Sequence, residues 1–309
     1  MQSDSRVIAT HAVAAVVHAH VGEPVRKVQE LDGFVGNRAF MARTDRGGYV
    51  LKAGDAVAIA AEAWACERVR AAGVPAPEVV VSDLSSRLLP RPYLVMRKLS
   101  GDPVDGEPVD RTAGVLTEAG RRLRAVHSIT ADGYGYLLHA TQPVRDGAEP
   151  TGPEASWSKV VETPLAALDR LVTAGIVLPA LADRLRHTVE SHRSALAYRD
   201  RACLLHGDLH PRHIFARKGR MTGFIDWGDV AVGDPWYDLG RFSRAGTTAL
   251  EHLLRGYRPE ADREEVERRL TLYRVVWSLQ AIVWEHQAGG DWFAEHLAAI
   301  TDGLDRLSG

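Results

Sequence analysis

The chain changes character about a third of the way along, from short strand-like runs to long helical ones. Residues 28–54 have the pattern of strands separated by glycines, with "RGG" as a turn between two of them. Residues 56–73 have the apolar spacing of a helix that ends at Gly73. The runs "APEVVVSDLSS" and "RPYLVMRKLSG" are typical of two further strands. This order predicts a small sheet-and-helix unit up to about residue 97.

The rest of the chain is predicted to be mostly helical. Helical spacing covers residues 112–127, 157–172, 178–198, 246–256, 264–287 and 291–307. The exception is residues 203–235, where "CLLH", "HIFAR" and "MTGFIDW" predict short strands and Lys218-Gly219 predicts a hairpin turn. Residues 130–156, rich in Gly and Pro, are expected to form an irregular loop. The sequence therefore predicts an α+β chain with a sheet-rich front lobe and a helical rear lobe.

Composition and charge exclude several classes of protein. A net charge of −2 gives no reason to expect a nucleic-acid partner. The run "VIATHAVAAVVHAHVG" resembles a weak signal peptide, but three histidines interrupt it, and an amphipathic first helix is favoured. No apolar run approaches the roughly 20 residues that span a bilayer. Cys66 and Cys203 lack metal-ligand spacing and are expected to be buried thiols of a cytoplasmic protein.

A lysine and a glutamate ten residues apart are candidates for a buried ion pair. Lys52 ends the apolar strand "GYVLK", and Glu62 lies in the helix that follows. A lysine at the end of a central strand is costly to bury unless it is paired. Such a pair would orient the ammonium group towards an anion such as a nucleotide phosphate. Taken singly, each residue is more typical of surface charge, and that alternative stays open.

Two aspartates each follow a strand-like run. Asp208 comes after "CLLH", inside "HGDLHPRH", and Asp226 ends the run "GFI". If the two carboxylates converge on one cleft, one could accept the proton of a substrate hydroxyl and the other could hold Mg²⁺ against nucleotide phosphates. A weakly basic carboxylate suffices for this chemistry, because alignment of the nucleophile matters more than basicity. Spacing alone also allows two turn-capping aspartates.

The motifs "HGDLHPRH", "FIDWGD" and "GDPWYDL" resemble those of the aminoglycoside phosphotransferase family, the antibiotic and small-molecule branch of the protein-kinase-like fold. Lys52, Glu62 and the strand "YLVMRKLSG" precede them in that family's order, so the resemblance spans roughly residues 30–240. It implies a nucleotide-binding lobe at residues 1–97 and a helical catalytic and substrate-binding lobe at residues 98–309. The run "GFVGN" departs from the family's glycine loop, because it lacks the full GxGxxG spacing and is typical of a turn.

The resemblance also implies a role for each matching residue. Asp208 matches the catalytic base, and Asp226 matches the metal-binding aspartate of the second motif. Lys52 and Glu62 match the ion pair that holds the phosphates of ATP or GTP, with Mg²⁺ as cofactor. The segment whose backbone meets the nucleobase is matched by Met96, Arg97 and Lys98. The residues interpreted as scaffolding are His206, Asp234 and Asp238.

His213 stands where the family usually has an asparagine that binds the second metal ion. Mg²⁺ prefers oxygen ligands, so a neutral imidazole is a less natural partner. Two branches of the family, resembling macrolide 2′-kinases and aminoglycoside 2″-kinases, also carry histidine at this position. Because Asp208, Asp226 and Lys52 are all present, we expect a working enzyme in which His213 and Asp226 form an altered metal site.

Candidate acceptor contacts lie near the end of the chain. An aromatic stripe at helical spacing is most often core, and the alternative is a pocket wall on which a sugar, nucleoside or macrolide ring stacks. Acidic residues nearby could meet the amines of an aminoglycoside, although solvated surface charge is the simpler interpretation. The stripe consists of Tyr273, Trp277 and Trp284, and the acidic residues are Glu285, Asp291 and Glu295. The substrate-binding candidates are Trp277, Trp284, Glu285 and Asp291.

Three functions stay open at this point. The first is a kinase that phosphorylates a hydroxyl of an aminoglycoside, macrolide or nucleoside antibiotic, giving resistance or self-protection. The second is a metabolic kinase of the same fold that acts on choline, homoserine or a sugar, and the third is a nucleotide-binding pseudokinase. A protein substrate is disfavoured, because the seven residues between Asp226 and Asp234 are too few for an activation loop. The expected partners are a nucleoside triphosphate and a small hydroxylated molecule, bound by a monomer or homodimer.

Overall fold

The computed structural model describes residues 8–31, 38–144 and 147–308. Its front part confirms the predicted opening helix, the strands with the "RGG" turn, and the helix that ends before Gly73. The run "GFVGN", residues 33–37, lies outside the described residues. The elements of this part are α1 Thr10–Val21, β1 Lys27–Leu31, β2 Arg38–Arg43, β3 Gly48–Ala53, α2 Ala56–Ala71, β4 Glu78–Asp83 and β5 Tyr93–Arg97.

The front strands form one antiparallel sheet in the order β1-β2-β3-β5-β4. Side chains alternate between the faces of a strand, so Tyr49 and Leu51 of β3 pack in the cluster that includes Val13 of α1. Lys52 therefore points to the opposite face of the sheet. Leu94 of β5, which pairs with Lys52, belongs to the hydrophobic core that also contains the buried residues of α2. The alternation of β3 thus aims Lys52 at α2.

The rear part is mostly helical, as predicted. Two of the predicted helices are each divided, residues 157–172 after Pro164 and residues 178–198 at His192, and α8 was not predicted. The elements are β6 Asp102–Pro103, α3 Val109–Val126, β7 Gly135–Tyr136, α4 Trp157–Leu165, α5 Leu168–Thr173, α6 Pro179–Ser191, α7 Arg193–Leu196, β8 Cys203–Leu205, β9 Ile214–Arg217, β10 Arg220–Phe224, β11 Ala231–Gly233, α8 Trp236–Phe242, α9 Thr247–Tyr257, α10 Arg263–Ala288 and α11 Ala294–Leu307.

Short strands between the rear helices form two small sheets, in the orders β10-β9-β6 and β7-β11-β8. The predicted hairpin joins β9 and β10, and both turn residues, Lys218 and Gly219, have the positive φ angles that a two-residue turn of this kind requires. Residues 130–156 are largely irregular, as expected, but they contribute β7 to the second sheet. These sheets hold the segments that carry Asp208 and Asp226.

Both cysteines are buried free thiols, as predicted, and burial raises the pKa of each. Cys66 contacts Met96 inside the front part of the core, and Cys203 lies in β8. Within the described ranges, no helix has both the length and the apolar composition that crossing a membrane requires.

Candidate active site

Lys52 meets two carboxylates that lie far apart along the chain. Its Nζ donates to Glu62 Oε1 at 2.6 Å and to Asp226 Oδ1 at 2.7 Å. The side chains of Lys52 and Glu62 are only 8% and 3% exposed. The predicted Lys52–Glu62 pair is therefore formed, and the rear hairpin brings Asp226 to the same ammonium group.

The charges of this group depend on one another. Burial is the largest influence on Lys52 and disfavours its charge, but Asp226 and then Glu62 outweigh it and raise the pKa of Lys52. Burial likewise opposes the charge of Asp226, but Lys52 and then His213 hold its pKa below the usual range. Burial raises the pKa of Glu62. At neutral pH the group therefore keeps a cationic lysine against an anionic Asp226.

Asp226 has an unusual backbone conformation, with φ 65° and ψ 65°. This left-handed region costs most residues energy, and aspartate is among those that tolerate it best. The turn that follows holds it in place, because Trp227 is fully buried and packs against His206 and Phe224. The conformation turns the chain immediately after β10 and presents the Asp226 carboxylate to Lys52.

The loop that carries Asp208 is fixed by a buried carboxylate on α8. The backbone N–H groups of His206 and Gly207 donate to Asp238 at 2.7 and 2.9 Å, and His127 Nε2 donates to it at 3.1 Å. Gly207 has φ +84°, and a Cβ there would lie 1.8 Å from the Asp229 carbonyl oxygen. Asp238 thus has the scaffolding position that the sequence analysis assigned to it.

We expect Asp238→Asn to lower the free energy of unfolding by about 3 kcal/mol, because both carboxylate oxygens accept hydrogen bonds inside the core and an amide nitrogen cannot. Urea unfolding measures the change. Asp169→Asn, which alters an exposed ion pair with Arg186, is the matched control and is expected to change stability by less than about 1 kcal/mol. Equal stability of the two variants would contradict this account of the loop.

Asp208 is paired with an arginine that the sequence analysis missed. Arg241 Nε donates to Asp208 Oδ1 at 2.7 Å, and the Arg241 guanidinium lies 4.0 Å from the centroid of the Trp277 ring. Trp277 in turn donates from Nε1 to the Gly207 carbonyl at 3.1 Å. Arg241 follows the loop-binding Asp238 by one turn of α8, and because this helix was not predicted, no sequence signal pointed to the contact.

His213 bridges the two motifs. Its Nδ1 lies 2.8 Å from the Asp208 carbonyl oxygen, which can only accept, so Nδ1 carries a proton. Its Nε2 lies 3.5 Å from Asp226 Oδ2. The ring is almost parallel to that of His206, with 5.6 Å between the centroids. In a neutral His213 the Nε2 lone pair faces a carboxylate oxygen, so two electron-pair donors converge on one space.

This donor pair fits a divalent cation. In the part of the chain that the structure describes, no three His, Cys, Asp or Glu side chains surround a single point. Mg²⁺ is commonly held by one or two protein groups together with substrate phosphates, so a pair of protein donors is sufficient. The nitrogen of His213 is the less usual member of the pair.

A third carboxylate lies in the same region. Burial, and then the charges of Asp208 and Asp226, raise the pKa of Asp229 to about 7. Asp229 was not among the residues predicted from the sequence. Its position in the turn after β10 places it three residues beyond Asp226, opposite the Gly207 backbone.

The predicted nucleobase segment lies at the end of β5, the strand that pairs with β3 and β4. Met96 is buried, Arg97 is exposed and pairs with Glu78, and the Lys98 backbone N–H donates to the Gly48 carbonyl at 2.9 Å. The segment therefore lies at the end of β5, the strand that pairs with the Lys52-bearing strand β3.

The predicted acceptor residues are only partly brought together. Trp277 is buried beside the Asp208 loop, and Trp284 is half-buried with its ring edge-on to Tyr136 at 5.0 Å. Glu285 Oε1 accepts from the Trp292 backbone N–H at 3.1 Å, and Asp291 is exposed. Tyr273 of the same stripe is fully buried, and its hydroxyl donates to Asp234. The Asp234 carboxylate also accepts a hydrogen bond from the Trp236 backbone N–H. Tyr273 and Trp277 are thus core residues.

The two-lobed fold, with a buried lysine held by a glutamate and an aspartate, defines a kinase-like phosphotransferase. The chain belongs to the phosphotransferase enzyme family (APH), whose sequence model matches residues 27–273. A curated relative, "Uncharacterized protein YcbJ" of Bacillus subtilis (strain 168), is 53% identical over 37 residues, which are 12% of each chain.

Solved structures share the fold. A thermostable mutant of aminoglycoside phosphotransferase APH(4)-Ia, in ternary complex with ADP and hygromycin B, superimposes with a TM-score of 0.73, 18% identity, and 96% and 99% of the two chains covered. A structure named as a fructosamine-3-kinase from Thermobifida fusca YX-ER1 superimposes with a TM-score of 0.71 and 19% identity, with 97% of this chain and 99% of the other covered. Macrolide 2′-phosphotransferase MphH from Brachybacterium faecium superimposes with a TM-score of 0.64 and 20% identity, with 94% of this chain and 97% of the other covered. At these identities the likeness shows the fold alone.

Proposed function

We propose that the chain transfers the γ-phosphoryl group of ATP or GTP to a hydroxyl of a small molecule. One observation carries the proposal. Lys52 donates to Asp226, and His213 joins Asp226 to the Asp208 loop, so a lysine of the front sheet and two neighbouring motifs of the rear part share one site. This grouping suits phosphoryl transfer, in which positioning and charge stabilisation supply most of the catalysis.

Each residue has a part in the proposed reaction. Lys52, oriented by Glu62, binds the nucleotide phosphates, and the backbone of Met96, Arg97 and Lys98 meets the nucleobase. Asp226 and His213 would hold Mg²⁺, which would neutralise charge on the phosphates. Asp208 aligns the acceptor hydroxyl and accepts its proton as the new O–P bond forms and the nucleoside diphosphate leaves. Residues 1–97 then form the nucleotide-binding lobe, and residues 98–309 the catalytic and substrate-binding lobe.

The acceptor in the first form of the proposal is an antibiotic hydroxyl, which would give resistance or self-protection in the cytoplasm, where nucleoside triphosphates are available. The fold likeness to aminoglycoside and macrolide phosphotransferases supports this form. The likeness to a fructosamine-3-kinase supports the second form, a metabolic kinase. Nucleoside diphosphate release, measured with a panel of hydroxylated antibiotics and metabolites, distinguishes the two. Binding of nucleotide without any phosphorylated acceptor would contradict both and favour a pseudokinase.

We expect His213→Asn to remain folded and active, with a changed preference between Mg²⁺ and Mn²⁺. An amide oxygen can replace the ring nitrogen as a metal ligand, and oxygen suits Mg²⁺ better. Steady-state rates with each metal measure the effect, and His213→Leu, which supplies no ligand, is the matched control. Complete loss of activity in His213→Asn would mean that the imidazole has another function.

A further inference from the structure

Two arginine side chains lie beside Asp208 on the ring of Trp277, and we propose that they bind an anionic group, a carboxylate or a phosphate, on the hydroxylated acceptor. The inference rests on the proposed function and specifies the substrate class of the same site. Two residues carry it, Arg241 of α8 and Arg244 of the short turn that follows, and they are called the arginine pair below.

The arginine pair is held on one aromatic surface. Both guanidinium groups lie over the Trp277 ring, at 4.0 and 5.6 Å from its centroid. The two side chains are only 12% and 14% exposed. Stacking on an indole fixes the plane of a guanidinium group, and partial burial strengthens its attraction for an anion. Because Arg241 also contacts Asp208, the pair extends to the carboxylate that meets the acceptor hydroxyl.

The pair retains hydrogen-bond donors. Among the described residues, the structure records one hydrogen bond from Arg241, through Nε to Asp208, and none from its two Nη groups. Arg244 uses one Nη group for His296 Nδ1, and its other Nη lies 3.7 Å from Glu295, whose side chain is 64% exposed. Planar N–H donors of this kind match the oxygens of a carboxylate or phosphate group.

A neighbouring histidine adds a donor rather than an acceptor. The His296 Nδ1 atom accepts a hydrogen bond from Arg244. Burial, and then Arg244, lower the pKa of His296 to about 4, so its ring is neutral near pH 7. The ring therefore carries its proton on Nε2, where it can donate.

The two carboxylates that contact the arginine pair already face its guanidinium groups. Asp208 is bonded to Arg241, and Glu295 lies against Arg244. In the described ranges, no further carboxylate is ion-paired with either arginine, so the ammonium groups of a polycationic acceptor would have to compete for Asp208 and Glu295 with the two guanidinium groups. An anionic acceptor would be attracted to them and would have its hydroxyl presented beside Asp208.

The first test measures anion binding without catalysis. The full chain is saturated with Mg²⁺ and a non-hydrolysable ATP analogue, and inorganic phosphate and acetate are titrated separately by calorimetry. We expect saturable binding of at least one anion, weakened about tenfold in Arg244→Gln by the loss of one charge-assisted contact. Arg263→Gln, at an arginine that is 93% exposed, is the matched control and leaves binding unchanged.

The two anions distinguish the possible sources. Tighter binding of phosphate indicates a phosphorylated acceptor, and tighter binding of acetate indicates a carboxylic acid. Arg244→Lys keeps the charge but loses the planar fork, so it should weaken binding less than Arg244→Gln. Lack of saturable binding of both anions, or equal binding by Arg244→Gln and the unaltered chain, would overturn the proposal. Urea unfolding of each variant shows that its fold is intact.

The second test compares acceptors of one scaffold by nucleoside diphosphate release: glucose, glucosamine, glucuronate and glucose 6-phosphate. We expect the highest kcat/KM for an anionic member, with KM raised about tenfold in Arg244→Gln. Preference for glucosamine would overturn the proposal and leave the proposed function standing. If none of the four is phosphorylated while anion binding depends on Arg244, the anion site is supported and the proposed function is what lacks support.

Discussion

Asp208→Asn is expected to lower kcat by two to four orders of magnitude, about the range of a lost general base, while nucleotide affinity stays nearly unchanged. The amide keeps an oxygen for the hydrogen bond from Arg241 Nε. Its nitrogen cannot accept the proton of the acceptor hydroxyl. The variant therefore separates the chemical role of the carboxylate from its role in the loop. Single-turnover rates and calorimetric titration of the nucleotide measure the two quantities.

The matched control is Asp183→Asn, which changes the same chemical group at an exposed ion pair on α6. It should leave kcat and nucleotide affinity as they are. Normal turnover in Asp208→Asn would remove Asp208 from its proposed role. Loss of both turnover and stability would instead make the Arg241–Asp208 pair a structural element.

The second large effect is expected for Lys52→Met, which should reduce kcat/KM about a hundred- to a thousandfold and lower the free energy of unfolding by roughly 3–5 kcal/mol. The loss of stability has a specific cause. Without the ammonium group, Glu62 is left without its cationic partner in a buried position, and Asp226 loses its closest countercharge. Urea unfolding and steady-state kinetics measure the two effects.

A double variant separates these effects. Lys52→Met combined with Glu62→Gln removes the buried negative charge and should recover most of the stability but none of the activity. If the double variant is as unstable as Lys52→Met alone, the ion pair is not the source of the loss. Retained turnover in Lys52→Met would exclude this lysine from phosphate binding.

Much of the architecture could be predicted from the sequence, because strands, helices and turns follow local periodicity. The apolar run in "GYVLK" predicted β3, and the Lys218-Gly219 turn predicted the β9–β10 hairpin. The failures were also local in origin. The helix predicted at 157–172 is divided after Pro164, and β7 is too short for periodicity to detect.

Only part of the candidate site could be predicted from the sequence. Lys52 and Glu62 could be paired from the sequence, because a strand and the helix after it are adjacent in space. The contact of Arg241 with Asp208 could not, since it depends on how α8 packs against the loop. Trp277 has the helical spacing of a core residue, but its place under the arginine pair is set by the packing of α10 beside α8.

The sequence alone determined the order of elements and the chemical groups available: one lysine, two motif aspartates and a histidine in place of asparagine. Only the tertiary structure decided which of these groups share one site and which charges surround Asp208. The reason is physical. Element formation depends on neighbours within a few residues, whereas the pairing of Lys52 with Asp226 and of Asp208 with Arg241 depends on the packing of segments distant along the chain.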